Sequence, residues 1–155
     1  MNYLYFDSSA LVKRYANESG TEFVLMICQK EDTTIAISDV TIAELGATFA
    51  RKLREGNMTE NEYKLILDIF LNDYSNRYFK VPISFKVLIL AIRLAKKNSL
   101  RAYDAIQLAC AIKVRSEIEA KENMVEIAFV VADKTLEKAA QVEGFVTINP
   151  ETFSS

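Results

Sequence analysis

An α/β fold, with a mainly parallel central sheet between two layers of helices, is predicted by three features of the sequence. Short β-rich runs alternate with helical patterns along the whole chain, the signature of strands linked by crossover helices. One of these runs, within 126–131 (EIAFVV), is almost wholly apolar, as expected of a strand buried on both faces. Four carboxylates follow strands or open the next helices, at the edge where such sheets bind ligands.

In chain order, residues 3–6 (YLYF) are β-favouring aromatics that end at Asp7. A helix is expected over 9–16, with Ser8 suited to cap it, and a second over 21–30 after Gly20. TTIAI at 33–37 reads as a strand. Residues 40–55 carry apolar residues at helical spacing until Gly56. Thr59 with Glu62 forms a capping box that opens a helix to about residue 75. A third, edge-like strand is expected at 78–82, ended by Pro82. Strongly apolar helices follow at 84–97 and 102–121. The buried strand at 126–131 ends at Asp133, which can cap a helix at 134–143. Gly144 closes that helix before a last strand at 145–148. With only two prolines and four glycines there is no linker, so residues 1–155 read as a single domain.

Composition narrows the chemistry. Half of the residues are hydrophobic and 26% are charged, which suits a packed core rather than a disordered tail. No apolar run is long enough to span a bilayer, so no membrane association is expected. No targeting segment is evident, which points to the cytoplasm. The chain contains no histidine. That excludes a Ser-His-Asp triad, a Cys-His pair and histidine-rich zinc sites. The two cysteines, Cys28 and Cys110, lie in apolar helical patterns and read as buried, reduced thiols. Catalysis, if any, falls to carboxylates, lysines, tyrosines or metals. The net charge of −2 is unlike that of a typical nucleic-acid binder, but a local patch decides phosphate contact.

Asp7 and Asp133 follow strands; Glu44 (TIAEL) and Asp104 (YDAIQLA) lie in the first turns of helices. Taken singly, each has a structural reading: Asp7 and Asp133 as helix caps, Asp104 as a first-turn acid, Glu44 as the far end of a box with Thr41. Taken together, four acids at one rim would repel unless cations or protons neutralise them. Hard carboxylate oxygens suit Mg²⁺ or Mn²⁺. Such ions support phosphodiester hydrolysis without a protein nucleophile.

The segments FDSSALVKRYANE, ISDVTIAEL, LRAYDAIQLACA and VVADKTLEKAAQVEGF, in this order and spacing, closely resemble the PIN-domain family. The likeness is greatest to VapC-like toxins of bacterial and archaeal toxin–antitoxin pairs, and it runs from Asp7 to Pro150. The resemblance implies a three-layer α/β/α sandwich and an acidic pocket for one or two Mg²⁺ or Mn²⁺ ions. It also implies endoribonuclease activity, a homodimer and a separate cognate antitoxin. Asp7, Glu44, Asp104 and Asp133 match the family's four acids, as both metal-binding and catalytic groups, and Ser8 and Ser38 match family positions beside them. Many relatives carry histidine where this chain has Gln107, one turn from Asp104; Gln107 is therefore expected to donate a hydrogen bond behind the acids. Some relatives carry a further acid where Lys134 and Thr135 stand.

Lys13, Arg14, Arg51 and Arg54 are candidate contacts to RNA phosphates, against the common alternative of a solvated helix face. Tyr74, Tyr78 and Phe79 are candidates for base stacking, core or a subunit surface. The helices around 63–71 and 85–95 carry more apolar surface than one buried face needs, which suits a dimer. One rival is a non-catalytic RNA-binding or regulatory protein on the same fold, which would bind Mn²⁺ weakly. The other is an aspartyl-phosphate enzyme or receiver, which the serine at position 9 and the lack of an acid after the third strand disfavour.

Overall fold

The computed structural model describes residues 2–121 and 125–153. Five strands form one sheet: β1 (Asn2–Phe6), β2 (Thr33–Ser38), β3 (Phe79–Val81), β4 (Ile127–Val130) and β5 (Val146–Ile148). They lie in the order β3-β2-β1-β4-β5, and every pairing is parallel. The chain lays β2 and β3 on one side of β1, then crosses to lay β4 and β5 on the other. A crevice therefore opens at the carboxyl end of the sheet between β1 and β4, where strand order reverses. The ladder continues up to this rim: the Asp7 amide donates to the Val130 carbonyl at 3.0 Å, and Asp39 to Val81 at 3.1 Å.

Among the described residues seven helices cover the sheet: α1 (Ser8–Leu11), α2 (Thr21–Cys28), α3 (Val40–Arg54), α4 (Glu60–Asn76), α5 (Phe85–Asn98), α6 (Ala102–Glu119) and α7 (Lys134–Val142). Alternation along the strands divides the core in two. Tyr5, Ala36 and Phe129 face one layer with α5, α6 and α7. Phe6, Ile35, Ile37 and Val130 face the other with α1, α2, α3 and α4. The three-layer α/β/α sandwich is thus a consequence of two-residue periodicity in strands that are apolar on both sides. A stacked ring pair, Tyr5 on Phe129 at 5.4 Å, ties β1 to β4 under the crevice.

Local signals set most boundaries. The Thr59–Glu62 capping box forms with both reciprocal bonds, and β3 is an edge strand ending before Pro82. The first helix departs from expectation. It is one turn, 8–11, continued by a 3-10 turn over Val12–Arg14, and its cap is Asp7 rather than Ser8. The Thr41–Glu44 box, the alternative structural reading of Glu44, does not form: α3 is preceded by Asp39, and no side chain caps it. A 3-10 turn at Pro150–Phe153 was not anticipated. Both cysteines are buried and unpaired, as expected. Among the described residues, no helix is long and apolar enough to cross a membrane.

Candidate metal centre at the crevice

Asp7 leaves β1 with its carboxylate in the crevice, only 3% exposed. Its Oδ2 accepts from the Ser9 amide at 2.9 Å and from the Ser9 hydroxyl at 2.5 Å. The Ser9 oxygen in turn accepts from the amides of Ala132 at 3.0 Å and Asp133 at 3.2 Å. One hydroxyl thereby uses its donor and both lone pairs to join the end of β1 to the segment after β4. Asp133 caps α7, its Oδ1 accepting from the Leu136 amide at 2.8 Å.

Glu44 reaches the crevice from α3 and Asp104 from the first turn of α6; both are half-buried. Gln107, one turn on, is completely buried. Its Nε2 stands 2.7 Å from Glu44 Oε1, 2.9 Å from Ser8 Oγ and 3.0 Å from Thr41 Oγ1. Two amide hydrogens face three acceptors, so the charged one, Glu44, takes the shortest contact. Because a carboxylate only accepts, the amide nitrogen must face Glu44, and Oε1 is left to accept from the Tyr5 hydroxyl at 2.7 Å. Ser38, fully buried beneath, accepts from Cys110 Sγ at 3.3 Å and hydrogen-bonds Tyr5.

These placements create electrostatic tension. Burial pushes the Asp7 carboxyl up to about 7; Ser9 pulls it down, and the charges of Glu44 and Asp104 raise it further. Burial also raises Glu44, against the donors Gln107 and Ser8, and Asp104 adds to the rise. Asp104 is raised by burial and by the charge of Asp133, with Arg101 opposing. Asp7, Glu44 and Asp104 are therefore held above the ordinary carboxylate range, chiefly by burial and in part by neighbouring acids. Among the described residues, however, no three acids stand in a ready metal-holding arrangement. The fit to a cation rests on the donor chemistry: hard oxygens from four elements, with Asp7 buried, Glu44 and Asp104 half-buried and Asp133 exposed, suit a hard divalent ion that would offset their repulsion. A cavity of about 630 Å³ opens here, with Ser8, Ser9, Glu44, Asp133, Lys13 and Arg51 in its walls.

A family model described as the PIN domain matches residues 4–140. The chain belongs to the PIN-domain family. PIN domains are generally nucleases and typically use divalent metal ions. Solved structures of similar fold include VapBC2 from Rickettsia felis bound to a DNA fragment from its promoter. That match has a TM-score of 0.64 at 15% identity and covers 95% of this chain and 98% of that one. FitAcB from Neisseria gonorrhoeae gives 0.64 at 16%, covering 95% and 97%. PAE2754 from Pyrobaculum aerophilum gives 0.60 at 20%, covering 95% and 83%. No curated protein matches the sequence.

Within this PIN domain the basic candidates separate. Lys13 and Arg51 line the cavity. Arg14 is diverted from it: its guanidinium binds Asp73 Oδ2 through two nitrogens, each at 3.1 Å, inside a cluster with Tyr15 and Cys28. A partly buried arginine needs its counter-ion, and that pairing takes Arg14 out of the phosphate-contact set. Arg54 is exposed at the far end of α3, outside the cavity wall. Tyr78 is buried, its hydroxyl against that of Tyr15, and Tyr74 donates to Asp39 at 2.7 Å, so of the three candidate aromatics only Phe79 is largely exposed. Sequence reasoning missed Ser9 and Tyr5. The doubled serine after Asp7 was a usable signal for the first; the hydroxyl on an inward strand position was one for the second.

Proposed function

We propose that the chain is a divalent-metal-dependent endoribonuclease that hydrolyses RNA phosphodiester bonds, acting as the toxin of a type II toxin–antitoxin pair. The observation that carries the reading is the hydrogen-bonded frame that gathers the acids: Ser9 ties the Asp7 carboxylate to the Asp133 backbone, and Gln107, one turn from Asp104, holds Glu44. A structural neighbour described as a toxin–antitoxin complex from Klebsiella pneumoniae, with a TM-score of 0.59 at 18% identity, supports the toxin part of it.

In this reading the four acids hold one or two Mg²⁺ or Mn²⁺ ions. When bound, such an ion supplies charge stabilisation and an activated water at neutral pH. The chain's own contribution is positioning. Ser9 orients Asp7 and draws the Asp133 backbone toward it, while Tyr5 and Gln107 hold Glu44 at one rotamer. Ser8 adds a second donor to Glu44.

The exposed apolar stripe of α5, with Phe85 at 76% and Ile92 at 65%, supports a homodimer, and α4 adds Leu65 and Ile69. Sedimentation velocity with a Phe85→Asp, Ile92→Asp variant tests this: the mutant sediments as a monomer, and an unchanged profile removes the stripe as the interface. In this reading a cognate antitoxin is a separate chain.

The deciding experiment incubates total cellular RNA with Mg²⁺ or Mn²⁺. Wild type cleaves, Asp104→Asn does not, and EDTA stops the reaction. Cleavage by Asp104→Asn, or by wild type in EDTA, removes the proposal. Calorimetric titration of Mn²⁺ then separates an enzyme from a regulator on this fold, which binds the ion weakly.

A further inference from the structure

Lys13 is 3% exposed, an uncommon place for a lysine, and it forms part of the cavity wall with Glu44 and Asp133. A buried ammonium needs an anion. Its hydrogen-bonding partner is Glu151 Oε1 at 2.9 Å; Glu18 lies farther away, at 3.6 Å, and has its own closer cation in Lys52 at 2.7 Å. Lys13 is thus held chiefly by one carboxylate, and that carboxylate comes from 138 residues away.

Glu151 reaches the cavity from outside, and its own anchors are separate from Lys13. It sits in the 3-10 turn Pro150–Phe153, and its side chain is 44% exposed. Phe153 stacks on Phe23 at 4.1 Å. A Cβ added at Gly20 would stand 2.8 Å from the Pro150 carbonyl, so the turn lies directly against the start of α2. Asn149 accepts the Glu151 amide at 3.0 Å and donates to Glu137 at 3.1 Å. The turn therefore has anchors of its own besides the contact with Lys13.

A phosphodiester oxygen offers Lys13 the same charge-assisted contact as a carboxylate. The partner it would displace is half in water, where ion pairs are weak and readily exchanged. Around it the wall is acidic, with Glu18, Glu44, Asp133 and Glu151, so a strand entering the cavity needs a cation on which to seat a phosphate. We infer that Lys13 is a phosphate subsite for a nucleic-acid strand, and that Glu151 fills this subsite until a strand displaces it. The inference rests on the nuclease reading for the presence of a strand at this cavity.

The test measures binding of a labelled single-stranded RNA oligonucleotide by anisotropy, in EDTA, so that no cleavage is involved. Glu151→Gln binds roughly tenfold more tightly than wild type, the order of one added charge-assisted contact. Its salt dependence steepens by about 0.7, the increment of one phosphate contact on a single strand. In a Lys13→Met background the same substitution brings no gain. Glu22→Gln, which removes an exposed charge from the neighbouring α2 without touching Lys13, leaves binding near wild type and keeps the test valid if Lys13→Met fails to fold.

Equal gains from Glu151→Gln and Glu22→Gln overturn the inference, as does a gain that survives loss of Lys13, or no strand binding at all. Tighter binding of inorganic phosphate without tighter binding of the strand overturns the assignment to nucleic acid. Cleavage is scored separately with Mn²⁺. Coupled binding without cleavage by any form sinks the nuclease reading and leaves the subsite; cleavage without coupling does the reverse.

Discussion

Replacing Asp7 by Asn removes the most perturbed acid of the crevice while keeping an oxygen for the Ser9 amide. Burial raises Asp7 from 3.8 to about 7, a difference of about 3.2 units. At about 1.36 kcal/mol per unit this corresponds to ~4 kcal/mol between the protonated and ionised folded states. The direction follows from proton counting. Between pH 3.8 and about 7 the folded state keeps a proton that the unfolded chain has released, so stability falls as pH rises. The contribution is intact below pH 3.8 and lost by about pH 7. Asn resembles the protonated acid at every pH. In EDTA the variant therefore matches wild type near pH 4 to within about 1 kcal/mol, and exceeds it by up to ~4 kcal/mol at pH 8. For a chain of this size that is a rise of roughly 8–16 °C in Tm. Urea and thermal melts of both proteins across this range measure it. Stability curves that run parallel from pH 4 to pH 8 would refute the electrostatic account of the crevice. Adding Mn²⁺ at pH 8 should narrow the gap, because only wild type retains the full acid set for the ion.

Tyr5→Phe leaves the buried Gln107 oxygen without its donor. It costs about 1–3 kcal/mol in urea melts and weakens Mn²⁺ binding roughly tenfold by calorimetry, through loosened Glu44; unchanged affinity would limit Tyr5 to a packing role. Arg14→Ala leaves the buried Asp73 carboxylate without its main counter-ion, with only the Tyr15 hydroxyl at 2.9 Å and a 3.9 Å contact from Arg77. A loss of about 3 kcal/mol in guanidinium melts is expected, with no change in the salt slope of strand binding. Gly20→Ala combines a backbone at φ +87° with a collision against Pro150. A loss of about 1–3 kcal/mol is expected, together with altered near-ultraviolet dichroism from the Phe23–Phe153 stack.

Local chemistry made most of the fold readable. The apolar run in β4, the aromatic run in β1 and the capping box of α4 each act over a few residues, and each formed where expected. The break between α1 and the following 3-10 turn was not readable. It depends on Asp7 taking the cap, and Asp7 is held by Ser9, whose oxygen binds the backbone 123 residues later. The same distinction separates the candidate site residues. Positions of the acids relative to strands and helix starts are local and placed them at one rim. The diversion of Arg14 to Asp73 and the seating of Lys13 under Glu151 are pairings between distant segments, and no window of sequence contains both members.

Because β1 lies at the middle of the sheet and pairs with β4 as well as β2, the first acid of the crevice waits for the last. A growing chain can join β1 to β2 once a few dozen residues have emerged, but the wall carrying Asp133 is added only after more than a hundred. Prematurely terminated chains lacking β4 therefore carry three acids, an open sheet edge and no Ser9 bridge. On this account a chain that stops before β4 has neither the Asp133 wall nor the two backbone amides that hold Ser9 against Asp7.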